Sequence, residues 1–169
     1  MEPYTAFDET LADFGRAVNW AAELELRMII SHDPWRHVNG SRAGGVHGNQ
    51  PGIVPARGGP CAAKQLQLVF EPHPDTLSMQ NAWAIEFIDT LAEGHPAGSV
   101  GILYDCCHYG VGQPEAYVDT ISELGERIRH VHYSDGDRET YALHLAPGDG
   151  SLDLRPSTRP SSGLGIEGR

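Results

Sequence analysis

Val100-Gly101-Ile102-Leu103-Tyr104-Asp105-Cys106-Cys107-His108 decides how the rest of this chain is read. Its first five residues are an apolar run of the length of a buried strand, and the run ends in a carboxylate. The same pattern stands on either side. Upstream, Leu66 to Glu71 is followed by Pro72, His73 and Pro74. Downstream, Ile128 to His132 is followed by Asp135, Asp137 and Arg138. Glu71 and Asp105 are 34 positions apart, and Asp105 and His132 are 27 apart. A strand, a helix and two loops fill about 30 residues. The spacing predicts consecutive βα units, with Glu71, Asp105 and His132 at the carboxyl ends of neighbouring parallel strands, where α/β barrels place their chemistry. Two carboxylates and an imidazole suit one divalent metal ion, Mn, Mg, Co, Fe or Zn.

Further upstream, Asp8 can cap a helix in which Leu11, Phe14, Val18 and Ala21 or Ala22 recur at helical spacing, ending near Leu26. Met28-Ile29-Ile30 predicts a short buried strand before Ser31-His32-Asp33-Pro34. Residues 39–63 are rich in Gly and Pro and predict an irregular loop where a βα pattern wants a helix. Ser78 can cap a helix with Ala84, Phe87, Ile88 and Leu91 on one face. Pro114 fits the first turn of another, with Tyr117, Ile121 and Leu124 inward and Gly125 at its end. Pro147-Gly148-Asp149-Gly150 is a turn, and residues 155–169 predict an irregular tail. There is no internal sequence repeat.

The chain has 169 residues, enough for one core, and a formal net charge of -11. That charge disfavours a nucleic-acid partner. No apolar run reaches the 18 residues of a membrane span, and the acidic start predicts no secretory leader. Three cysteines without framework spacing fit a reducing cytoplasm, with one of Cys106 and Cys107 packed inward and the other lining a loop.

Val69-Phe70-Glu71-Pro72-His73-Pro74, Tyr104-Asp105-Cys106-Cys107-His108, His130-Val131-His132 with Asp135 and Arg138, and Pro147-Gly148-Asp149-Gly150 together resemble the sugar phosphate isomerase/epimerase family. This is the xylose isomerase-like TIM barrel group. The resemblance covers residues 66–154 and, more weakly, 8–33. It implies Glu71, Asp105 and His132 as metal ligands, Glu71 and His108 as catalytic residues, and His108 and Arg138 as substrate contacts. It implies a small sugar or polyol as substrate, and a second Glu on the last strand with no counterpart here. In the endonuclease IV-like branch the equivalent of His108 is a ligand instead. A closed barrel takes about 250 residues. Four strands over residues 1–154 therefore predict an incomplete (β/α) TIM-barrel-like fragment with parallel strands. Its inward apolar residues, such as Leu68, Phe70, Ile102 and Val131, lose the layers that further strands would supply, so the fragment is expected to be poorly stable, to expose sheet edges and to self-associate.

Blander roles compete for the same residues. Glu71 and Asp105 can cap the helices that follow their strands. His32, His73 and His144 read as polar loop residues, and His37, His47 and His95 as surface. One of His130 and His132 can be a core or supporting residue. The chain can also be a non-catalytic remnant, or a half-barrel that needs a partner. His130-Val131-His132 as the metal pair of an amidohydrolase-like enzyme ranks below these, since no suitable later ligands follow.

Overall fold

The computed structural model describes residues 3–32, 59–74 and 76–155, with side chains from residue 11 onward, Leu77 excepted. In chain order these are α1 (Pro3–Glu23), β1 (Met28–His32), β2 (Gln67–Glu71), α2 (Asn81–Ala92), β3 (Val100–Asp105), α3 (Cys106–Gly112), α4 (Tyr117–Leu124) and β4 (Ile128–His132). Short 3-10 turns precede α2 and β4. The strands form one parallel sheet in the order β1-β2-β3-β4, the α/β half-barrel that the three apolar runs predict.

Strand alternation divides the sheet into two faces. Leu68, Phe70, Ile102 and Tyr104 point to the helix layer. There they pack with Val18 and Ala21 of α1, with Ala84, Phe87, Ile88 and Leu91 of α2, and with Tyr117 and Leu124 of α4. The apolar face of α2 is the one its periodicity predicts. Val69 and Leu103 are also fully buried, but on the opposite face, which further along carries Glu71 and Asp105. All six residues of β3 are buried, as suits a strand covered on both sides. The flanking β1 and β4 each have one strand partner among the described residues and are more exposed.

The faces correct one expectation. Leu68, Phe70 and Ile102 do not depend on barrel closure for burial, because the helices cover them. Val131, grouped with them on sequence, is 36% exposed on the outer strand β4.

Several boundaries differ as well. α1 begins at Pro3, so Asp8 lies inside it rather than before it. Ser78 does not cap α2; its hydroxyl bonds Thr76 Oγ1 at 2.9 Å, and Gln80 is the capping residue. α4 starts at Tyr117, three residues after Pro114, and ends at Gly125 with φ of 52°. The short α3 was not predicted, because Cys106-Cys107-His108 reads as a loop by composition. Of the stretch predicted to be irregular, 39–58 lies outside the described residues, while 59–63 is helical with Cys61 buried. Residues 156–169 lie outside as well.

Candidate metal centre

Glu71, Asp105 and His132 are the last residues of β2, β3 and β4, so a parallel sheet must bring them to one edge. Each offers a donor atom, and the three atoms lie within 4.8 Å of one another. His132 Nδ1 stands 3.0 Å from Glu71 Oε1 and 3.3 Å from Asp105 Oδ2. The sequence spacing thus brings these three together as predicted.

Asp105 does two things at once. Its Oδ1 accepts hydrogen bonds from the backbone N–H of Cys107 and His108, at 2.9 and 3.2 Å, and so caps α3. Its Oδ2 is buried and makes no hydrogen bond among the described residues. Cap and ligand looked like rival readings; the two oxygens divide the roles between them. Glu71 caps nothing in the described structure, and Pro72 follows it in place of a helix.

His108 follows on the first turn of α3 and is fully buried. Its Nδ1 lies 2.9 Å from Pro72 O. A carbonyl only accepts, so Nδ1 carries the proton and Nε2 keeps its lone pair. Burial lowers the basicity of this ring below the ordinary histidine value, although Asp105 and Glu71 pull the other way. His108 is therefore neutral near pH 7, with an acceptor nitrogen turned toward His144 Nε2 at 3.3 Å.

Three histidines assigned to loops join the site. His32, at the end of β1, pairs in register with Glu71, and its Nδ1 is 3.6 Å from Glu71 Oε2. His73 Nε2 meets His32 Nδ1 at 2.7 Å, and its ring centroid is 4.3 Å from that of His108. His144 reaches the other flank, 3.9 Å from Asp105 Oδ2 and 3.6 Å from Cys107 Sγ. The signal for His32 was present in the sequence, since it ends an apolar run just as Glu71 and Asp105 do. His144 had no such signal, because its position depends on a loop fold. His95 is half-buried, and His37 and His47 lie outside the described residues. Cys106 and Cys107 are both fully buried, so neither lines an open loop. Burial pushes the Cys107 thiol up to about 12.

Asp135 organises the loop that carries His144. Its carboxylate accepts from the N–H groups of Gly136, Gly148 and Leu152 at 2.8, 2.9 and 3.2 Å. Burial alone would raise its pKa, but these donors outweigh it and hold the carboxyl low. A Cβ on Gly150 would run into the Asp135 carboxylate and Gly136 O, which explains a glycine in this turn. Arg138 is set apart from the three carboxyl-end residues in its described contacts. Its Nη2 donates to Pro114 O at 3.1 Å and its guanidinium lies 5.5 Å from the Tyr117 ring centroid. Its Nε is buried without a hydrogen-bond partner among the described residues.

The donor set fits a divalent cation. Two carboxylates that are 5% and 0% exposed stand side by side, with imidazoles rather than Lys or Arg in the ion pairs they make among the described residues. Burying a charge costs on the order of several kcal/mol unless a counter-charge is present. A cation among Glu71, Asp105 and His132 would supply it, and would give Asp105 Oδ2 the partner it lacks.

Residues 5–159 match the family described as xylose isomerase-like TIM barrel. No curated protein matches the sequence. Solved structures share the fold at low identity. A D-tagatose 3-epimerase-like protein superposes with a TM-score of 0.64 at 18% identity, over 92% of this chain and 58% of the other. The IOLI protein with a bound zinc atom gives 0.73 at 13%, over 93% and 57%. The 3-keto-D-glucoside 4-epimerase YcjR from E. coli gives 0.58 at 18%, over 86% and 55%. The chain thus spans little more than half the length of the solved proteins it matches. With four parallel strands and the family match over most of its length, it belongs to the xylose isomerase-like TIM barrel family as a partial barrel.

Proposed function

We propose that this chain carries the metal-binding core of a sugar or sugar-phosphate isomerase/epimerase that works by proton abstraction beside a carbonyl. The observation that carries the reading is the convergence of Glu71, Asp105 and His132 at one edge of the sheet, around a buried oxygen with no hydrogen bond. A divalent ion held by these three side chains would polarise a carbonyl and its neighbouring hydroxyl, which makes the hydrogen on the shared carbon acidic.

The chain's own groups supply the rest. Glu71 is placed both to hold the ion and, through an oxygen, to take the proton. His108 cannot serve as a donor from Nε2, because its proton is committed to Pro72 O; it accepts from a substrate hydroxyl or receives the proton in turn. Arg138 keeps a buried Nε with no hydrogen-bond partner among the described residues, which supports a contact with a substrate oxygen. A small sugar or polyol fits these few polar groups, and the net charge of -11 speaks against a polyphosphate backbone.

Mn(II) binding followed by electron paramagnetic resonance tests the centre. Glu71→Gln and His132→Ala should each weaken binding by at least about tenfold. Unchanged affinity in both variants would remove the basis of the reading. Solvent deuterium entering the carbon next to the carbonyl of a ketose then reports the chemistry.

A further inference from the structure

A single ion between Glu71, Asp105 and His132 leaves Cys107, His108 and His144, on the other side of Asp105, unused. Asp105, Cys107, His108 and His144 each offer one donor atom, and these four atoms also lie within 4.8 Å of one another. In a tetrahedral site with metal–nitrogen bonds of about 2.0–2.1 Å and metal–sulfur bonds of about 2.3 Å, neighbouring donors stand about 3.3–3.6 Å apart. His108 Nε2 and His144 Nε2 are 3.3 Å apart, and Cys107 Sγ and His144 Nδ1 are 3.6 Å apart. Asp105 Oδ2 is 3.9 Å from His144 Nδ1. These distances run to the two nitrogens of the exposed His144 ring, of which an ion would take one, and with one donor atom from each residue the four stay within 4.8 Å of one another.

Two further observations point to a ligand here. His108 has its lone pair on Nε2, because Nδ1 bonds Pro72 O. Asp105 Oδ2 is fully buried and, among the described residues, accepts no hydrogen bond, although the imidazoles of His132 and His144 stand 3.3 and 3.9 Å away.

We propose that Asp105, Cys107, His108 and His144 form a second metal site, suited to a thiophilic divalent ion of the zinc or cobalt type, on the flank of the first. One thiolate and two imidazoles make a softer donor set than the two carboxylates and imidazole of the neighbouring group. Asp105 Oδ1 is committed to the start of α3, so both sites draw on Oδ2 and the two ions sit side by side across one oxygen. The second ion ties the loop carrying His144 to the junction of β3 and α3. An ion on His108 Nε2 takes the lone pair that a substrate hydroxyl would otherwise meet, so the second site and that substrate contact exclude one another.

Cobalt(II) alone, added to the full chain after chelation and dialysis, is the probe. A thiolate ligand gives a charge-transfer band in the near ultraviolet, which carboxylate and imidazole ligands do not. The expected result is two bound equivalents, one of them with the band. Cys107→Ser should abolish the band and one equivalent. His144→Ala, a change on an exposed loop that leaves the core alone, should weaken the banded equivalent by at least about tenfold. His132→Ala should weaken the other equivalent and leave the band in place. Saturation without the band, a band that survives Cys107→Ser, or a band of unchanged affinity in His144→Ala would each show a packed thiol only and overturn the second site. A band with one equivalent in total would support this site and overturn the Glu71–Asp105–His132 centre.

Discussion

At the scale of single residues, Asp105 separates structure from binding. Asp105→Asn keeps an oxygen for the helix cap and loses the charge; Asp105→Ala loses both. The Asn variant should retain near-parental stability without metal and bind Mn(II) at least about tenfold more weakly, while the Ala variant should also lose about 1 kcal/mol in chemical denaturation. Equal destabilisation by the two variants would show that Oδ1 is not the cap.

His108 sets a pH dependence in the metal-free chain. Fully buried, it has a folded-state pKa below the ordinary 6.5, mainly through burial. The folded state then binds fewer protons than the unfolded chain, so stability rises with pH across that interval. It should be complete above pH 6.5 and fall as the pH drops below 6.5. Denaturation midpoints measured between pH 7.5 and 5.5 check this, and His108→Gln should flatten the slope. The sequence shows which residues end strands, and so it showed Glu71, Asp105 and His132. It does not show which loop folds back, and so His144 and Cys107 were missed as neighbours. Arg138 was legible as a motif residue, but its contacts run to Pro114 and Tyr117, which depend on where α4 packs.

At the scale of elements, periodicity located α2 and its buried face before any coordinates. Phe87 stacks on Trp83 at 4.8 Å and meets Phe70 edge-on at 5.2 Å. Phe87→Ala should cost about 3 kcal/mol in equilibrium unfolding. A loss below about 1 kcal/mol would mean that α2 is not anchored there. The β3 and β4 boundaries match those read from the sequence, because apolar runs and strand ends coincide in a parallel sheet. Helix starts were less legible. α3 was missed because Cys106-Cys107-His108 reads as a loop by composition, although Asp105 was legible as a possible cap. The assignment of Leu68, Phe70 and Ile102 to the barrel interior failed for another reason. In a strand buried on both faces, alternation does not reveal which face meets the helices.

At the scale of the whole molecule, the outer strands among the described residues each carry a half-exposed apolar residue, Ile30 at 38% and Val131 at 36%. Closed barrels remove such edges. The 169-residue polypeptide should therefore self-associate in a concentration-dependent way and turn over ketoses poorly with added Mn or Mg. Sedimentation velocity at rising concentration and a coupled epimerase assay check both parts. A stable monomer with ready turnover would show that the described half-barrel is self-sufficient. The covered helix layer tempers the expectation of instability, since the main apolar cluster is complete without further strands.

The divided carboxylate at position 105 also bears on how such a site decays. A lineage that gave up metal binding would still need something to begin α3, and Asn, Ser or Thr would do that as well as Asp. Drift at this codon would then run into a narrow set of capping residues instead of scattering. The amino acid found there in a descendant reports on lost chemistry, while helix and fold persist unchanged.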